Sequence, residues 1–352
     1  MKGMITDTML ELAFRFRDKE LWRWLDDSDL FAFRLTDGQI VYCCVMGNAG
    51  SHHSLGCYIG GKGFTTYLNT LKLPKVSRLN GMALVTAFNC INIDFVQAAD
   101  LQKEERSRVK EYAREHGIAI RRSYGWPDFS RFSSGRPPRT IDNVADAGYA
   151  EEALRAALAV AESLERQDMA ELGFMHGGRY ATERGGKLIP MLTPDGHGGY
   201  DWGMTKTPPA EEEDYPAPAF TSQTLICSVA ALPPDGMCQC RAFRVSLPAV
   251  DSADDPLFYP MVMLIVEENG MLLPVTLTEH ANEDASQMVV SLAEFLLHVL
   301  NKRPRSIAVT DMRTFNLLRD FCQRAGIMLV KVKVLKEMDY AVTSFCHQMG
   351  CF

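Results

Sequence analysis

The chain of 352 residues contains no apolar run approaching the ~18 residues that a membrane-spanning helix requires. Its N-terminal stretch, Met1 to Asp27, is charged throughout and has no signal-peptide apolar core. A cytoplasmic protein without a membrane partner is the expectation. An excess of positive charge is also missing: the formal net charge is -7, with 26 basic and 26 acidic side chains in residues 1–206 and 11 against 18 in residues 207–352. Global affinity for nucleic acid or anionic lipid is therefore not expected, because phosphate binding needs clustered positive charge. No G-x-S-x-G, H-E-x-x-H, C-x-x-C or dinucleotide G-x-G-x-x-G motif occurs. That removes the enzymes most readable from sequence, although catalytic groups gathered from distant positions remain open.

The ten cysteines do not form a disulfide framework. Cys43, Cys90, Cys227, Cys322 and Cys346 fall in apolar contexts and read as small buried hydrophobes with reduced thiols. The composition, 47% hydrophobic and 23% charged, is that of a packed globular protein, and the length points to two domains.

Along the chain, Met9, Leu12, Ala13 and Phe16 mark one face of a helix, and a short helix is expected over Leu21 to Leu25. Three strands follow at Leu30 to Leu35, Ile40 to Met46 and Ser54 to Ile59, with Asp37-Gly38 as a hairpin turn. A helix from Phe64 to Leu71, a strand from Ala83 to Ile93 and a charged helix from Lys103 to His116 come next. Arg121 to Arg139 reads as a Pro- and Arg-rich connection, Glu151 to Arg166 as an Ala-rich helix, and Leu188 to Trp202 as a terminal hairpin. The proline and acidic residues of 207–222 read as a linker, separating an N-terminal α+β domain (1–206) from a C-terminal domain (223–352).

The second domain repeats a three-stranded antiparallel start: Cys240 to Leu247, then Met261 to Glu267 and Met271 to Leu277 around Asn269-Gly270. A helix with a capping box at Asp284 and Gln287 carries Met288, Val289, Leu292, Phe295, Leu296 and Val299 as its apolar stripe. A strand at Ser306 to Val309, a helix from Asp311 to a Gly326 cap, a strand from Ile327 to Leu335 and a last helix through Met338, Val342, Phe345 and Met349 complete it. The fold class is mixed α+β and α/β, and this βββαβαβα order is that of ribonuclease-H-like folds.

The stretches Ile40-Val-Tyr-Cys-Cys-Val-Met-Gly47 and Leu55-Gly-Cys-Tyr-Ile-Gly-Gly-Lys-Gly63 resemble the N-terminal domain of a family of uncharacterised bacterial two-domain proteins. Arg303-Pro-Arg-Ser-Ile-Ala-Val-Thr-Asp311, with the helix to Gly326 and the strand after it, resembles a second domain of unknown function that accompanies the first. The resemblance implies two domains in a bacterial, cytoplasmic setting and carries no activity.

Four groups of residues invite a chemical reading. Gly56 to Gly63 matches a phosphate-binding loop except for the missing Ser or Thr that would hold Mg²⁺. It reads as a strand-to-helix turn, with Gly61, Lys62 and Gly63 as an anion-binding alternative. Glu294, Asp311 and Asp339 fall where ribonuclease-H-like nucleases place metal-binding acids, but the first strand, Cys240 to Leu247, has no acid to bridge two ions. A helix N-cap is a sufficient explanation of Asp311 and is favoured over a metal ligand, and Glu294 and Asp339 read most simply as solvated helix residues.

Arg121, Arg122, Trp126, Arg131, Arg136 and Arg139, accompanied by the single acid Asp128, are the candidate surface for a polyanion or a protein partner; the alternative is a loop anchored to acidic groups. The metal patterns are weak. Cys238-x-Cys240 has no second pair, and His52-His53, near Cys43, Cys44 and Cys57, would point to opposite faces of a strand. No metal site and no cofactor are expected. The leading reading is a binding or interaction module; the alternative is a nuclease or phosphoesterase using Mg²⁺ or Mn²⁺.

Overall fold

The computed structural model describes residues 4–35, 37–50, 52–76, 78–121, 124–174, 180–211, 215, 217–250, 256–267, 272–278 and 285–351. In chain order the first stretch contains α1 (Asp7–Lys19), β1 (Phe31–Arg34), β2 (Ile40–Met46), β3 (His53–Ile59), α2 (Gly60–Thr70) and α3 (Arg78–Val85). It continues with β4 (Cys90–Val96), α4 (Lys103–Glu115), β5 (Trp126–Phe132), β6 (Arg139–Thr140), α5 (Val144–Leu164), β7 (Leu188–Pro194) and β8 (Tyr200–Lys206). The remainder holds α6 (Gln223–Ala231), β9 (Met237–Arg244), β10 (Met261–Glu267), β11 (Leu272–Thr278), α7 (Ala285–Phe295), β12 (Ser306–Val309), α8 (Met312–Ala325), β13 (Met328–Lys331) and α9 (Lys336–Met349).

Two compact units result. Met1–Pro74, Ala87–Ser134 and Pro138–Glu211 make the first; Lys75–Thr86, Gly135–Pro137 and Glu212–Phe352 make the second. Part of the proline- and acid-rich segment is docked. Thr207 is buried and its amide donates to Lys187 O, while the Glu211 amide donates to Thr65 Oγ1 in the first unit. Phe220 is buried in the core of the second. Residues 212–214 and 216 lie outside the described residues.

The first unit is an eight-stranded sheet in the order β6-β5-β4-β3-β2-β1-β7-β8, antiparallel throughout except for the parallel β1/β7 pair. Alternation along the strands divides it into two faces. Phe31, Phe33, Val45, Leu55, Ile93, Phe95 and Phe129 join one core with α1, α4 and α5. The alanine-rich face of α5, Ala147, Ala150, Ala153, Ala157 and Ala161, is buried there too. Tyr42, Cys44 and Tyr58 face the other side and pack with Phe64 and Tyr67 of α2. Full burial of each large apolar side chain contributes roughly 2–3 kcal/mol.

Two segments differ from the sequence expectation. Ala83 to Val85 are helical rather than strand, closing α3, whose Met82 joins a core of the second unit. The expected connection from Arg121 to Arg139 contains β5, a full partner of β4 from Cys90↔Phe132 to Val96↔Trp126. Pro127 is tolerated because β6 pairs only with Ser130 and Arg131, so the position that lacks an N–H borders no strand on that side.

The second unit is a five-stranded sheet ordered β11-β10-β9-β12-β13, with β9 to β11 antiparallel and β12 parallel to both β9 and β13. α8 follows its sequence signals: Asp311 accepts from the Thr314 amide as N-cap, and Gly326 closes the helix at φ 70°. A short helix missed in the sequence, α6, is capped by Ser222. Val299 leaves the expected apolar stripe of α7, 57% exposed, because Leu296–Leu300 form a π-turn that rotates the following face outward. Both the Asn269-Gly270 turn and the Asp284 capping box lie outside the described residues.

None of the ten cysteines is in a disulfide, and Cys227 is exposed, a correction to its expected burial. Burial pushes the Cys322 thiol up to about 12, so it stays an inert core thiol. No described helix is long and apolar enough to cross a membrane.

Candidate binding site

At one end of the first unit's sheet, residues from the end of α1, from Gly47 to Gly50 and His53, and Arg121 with Tyr124 line a cavity of about 500 Å³. Its shape starts from the end of α1. Glu20 takes a left-handed conformation (φ 48°), donates its amide to Arg17 O, and turns the chain into the 3₁₀ turn Leu21–Arg23. That reversal brings the Glu20 carboxylate 2.7 Å from Arg23 and 2.8 Å from Arg121. The Arg121 guanidinium, with help from Arg23, holds the Glu20 carboxyl below its ordinary value against the opposing effect of burial.

Arg17 forms part of the lining although only 3% exposed; its guanidinium donates to Ala119 O and Gly125 O and so ties the loop to α1. The wall is aromatic. His53 lies 4.5 Å, ring to ring, from the buried Trp22 and 5.8 Å, edge-on, from Tyr124. Gly47, at φ 134°, makes this stack fit: a Cβ there would stand 2.5 Å from His53 Cδ2 and 3.1 Å from Trp22.

Three non-glycine residues among those described have positive φ, and two of them, Glu20 and Tyr124, line this cavity. Each such conformation costs on the order of 1–3 kcal/mol and tends to persist where function depends on it. Desolvation lowers the His53 pKa, Glu20 opposes this, and His52 and Arg121 reinforce it. The neutral form of His53 is thus favoured; of the three guanidinium groups around the cavity, Arg17 is paired with Asp18, and Arg23 and Arg121 share Glu20. Sulfate, a dianion from neutral to mildly acidic pH, is therefore expected to bind more tightly as the pH falls below the ordinary histidine range and His53 gains its proton. Titration calorimetry checks this. His53→Gln should abolish the acid rise and His52→Gln should not.

Of the residues that the sequence singled out as polyanion-binding, Arg121 lines this cavity. Arg131 reaches Asp146 at 3.3 Å and donates to Cys90 O, Phe132 O and Asn89 Oδ1, while Arg139 pairs with Asp142 and Asp146. Trp126 packs against the main core. Arg136 belongs to the second unit, where it donates to Pro256 O and Leu257 O. Arg122 lies outside the described residues.

The Gly61, Lys62 and Gly63 turn opens α2 directly from β3, with Lys62 exposed. A Cβ on Gly61 would overlap the Glu211 carboxylate, so one of this chain's own acids lies over the helix start. Arg17, Glu20, Trp22 and Arg23 carried no sequence signal. Glu20 and Arg23 look like an ordinary i,i+3 ion pair, and a left-handed glutamate has no local signature.

The three acids of the second unit have separate local roles. Both Asp311 oxygens engage Thr314, Glu294 is exposed on α7, and Asp339 pairs at 2.7 Å with Arg241 of β9. Arg241 also donates to Thr310 Oγ1, so a guanidinium stands on the strand where two-metal chemistry needs an acid. Among the described residues no group of three or more His, Cys, Asp or Glu side chains is placed to hold a metal ion. His52 turns to Asp94 and His53 to Trp22, away from a shared centre with the neighbouring cysteines.

Residues 7–178 match the family model of a domain of unknown function, DUF7309, and residues 232–346 match that of another, DUF6930. The chain therefore combines two such domains, one in its N-terminal and one in its C-terminal part. All residues lining the cavity fall within the first match, and Arg241, Asp311 and Asp339 within the second. A comparison with curated proteins gives no significant match.

Proposed function

We propose that the first unit is a binding module for a small anionic ligand, a phosphate ester or a carboxylate bearing a planar group, received in the cavity beside Trp22, His53 and Tyr124. The observation that carries this reading is the convergence of Arg23 and Arg121 on one carboxylate, Glu20, with the buried Arg17 behind them. Arg23 and Arg121 remain largely exposed while paired, so both can exchange Glu20 for an incoming anion. Guanidinium groups suit this exchange because their planar fork matches phosphate and carboxylate oxygens. Tyr124, more than one-third exposed at the edge of the stack, offers a face for a ring on the same ligand.

The second unit supports the same non-catalytic reading. On β9, where the metal-enzyme alternative would need an acid, Arg241 stands instead and pairs with Asp339.

Calorimetric titration of the full chain with sulfate, inorganic phosphate and mononucleotides tests the proposal. Binding of at least one is expected. Arg121→Ala and Arg23→Ala should each weaken it roughly tenfold, one charge-assisted contact apiece. Equal affinities for wild type and both variants would refute the site.

A further inference from the structure

On the sheet face opposite His53 and Trp22, polar side chains and a glycine adjoin one another across β3, β4 and β5, beside Cys44 and Met46 of β2. Strand pairing places Ser54 beside Asp94 and Asp94 beside Asp128 in one cross-strand row, and Gly56, Asn92 and Ser130 in the next. Directly opposed residues of antiparallel strands share a face, with Cα atoms about 4.5–5.5 Å apart. Ser54 is fully buried and Asp94 is 9% exposed.

Three oxygens here are inaccessible to solvent and have no hydrogen-bond partner: Ser54 Oγ, Asn92 Oδ1 and Asp94 Oδ1. His52 Nε2 approaches Asp94 Oδ1 to 3.3 Å as an ion pair, without hydrogen-bond alignment. Ser130 donates to Asp128 Oδ2 at 3.2 Å. A buried acceptor left without a donor is costly, and like charges directly opposite each other on adjacent strands add to the cost. Both costs vanish if a positive charge lies among these oxygens.

The geometry points to a binding site for a hard divalent cation, Ca²⁺ or Mg²⁺, formed by Asp94 and Asp128 with Asn92 and Ser54. Carboxylate, amide carbonyl and hydroxyl oxygens are the donors these ions take, whereas Zn²⁺ and Cu²⁺ favour thiolate and imidazole. Two carboxylates balance a divalent charge, and neutral oxygens complete the shell together with water. The site is independent of the arginine cavity, which opens on the other face and selects anions.

The experiment uses the full chain stripped with a chelator, then titrated with CaCl₂ and MgCl₂ by calorimetry and by thermal melting, with KCl as control. One saturable divalent site per chain and a rise in melting temperature are expected, because an ion held only by the folded state stabilises it. Asp94→Asn should weaken binding at least tenfold and Ser54→Ala about threefold, while in chelator both melt at or above the wild-type temperature, since each removes one of these costs. No saturable binding of either ion, or binding that neither variant changes, overturns the site and leaves buried water as the partner of these oxygens. Should Asp94→Asn fail to fold, Ser54→Ala and Asn92→Ala decide the matter, since each removes only an uncharged oxygen.

Discussion

Gly63→Ala should lower the melting temperature of the full chain by roughly 5–10 °C, equivalent to about 2–3 kcal/mol in a unit of this size. Gly63 lies in the first turn of α2, where a Cβ would stand 2.6 Å from the carbonyl carbon and 3.0 Å from the Cα of Tyr58. Both obstructing atoms are backbone, so relief requires lifting α2 from β3 and disturbing the packing of Phe64 and Tyr67 against Tyr58. Gly61→Ala is the internal control. Its Cβ would meet only the tip of the Glu211 side chain, which is exposed and free to swing away. That replacement should cost well under 1 kcal/mol. A phosphate-binding loop would behave differently, with both substitutions showing chiefly in ligand affinity. Equal melting temperatures for the two variants would contradict this account of the glycines.

Asp311→Ala should destabilise the protein by roughly 2–3 kcal/mol in the presence of chelator, measured by denaturant or thermal unfolding. Asp311 Oδ1 accepts from the Thr314 amide at 2.8 Å, and its two oxygens lie 2.9 and 3.0 Å from Thr314 Oγ1. Thr314 is fully buried, and its hydroxyl oxygen already accepts from the Ala242 amide at 2.9 Å. The hydroxyl hydrogen therefore points to Asp311, linking α8 to β9. Alanine removes the cap and leaves a buried donor without an acceptor. Asp311→Asn keeps an acceptor for both bonds and should lose less than half as much. Under the nuclease reading, the carboxylate would be a metal ligand strained by its neighbours, and removing it without metal would leave stability unchanged or improved.

α8 was legible because its signals are local: an Asp that accepts from an amide three residues on, a hydrophobic face of period 3.6, and a glycine able to take positive φ. The hairpin from β1 to β2 was legible for the same reason at Asp37-Gly38, where Gly38 takes φ 87°. β5 was not. Its proline and arginine weigh against a strand until Asp146 of α5, fifteen residues beyond Arg131 in sequence, supplies the counter-charge. Among the candidate binding residues, the sequence assembled Arg121 to Arg139 as one basic stretch. The strand separated them, leaving Arg121 at the cavity and Arg131 and Arg139 beside the acids of α5.

From the sequence alone came the two-domain mixed α/β organisation and the order of most elements, because hydrophobic period, caps and turn residues act over a few residues. Tertiary structure alone decided which charges are already paired and which face a cavity. Glu20, Arg23 and Arg121 meet only because a left-handed residue at the end of α1 turns toward a loop a hundred positions away. Ser54, Asp94 and Asp128 share a face only through the register of three strands. Such meetings depend on long-range pairing, and local side-chain preferences carry no record of it.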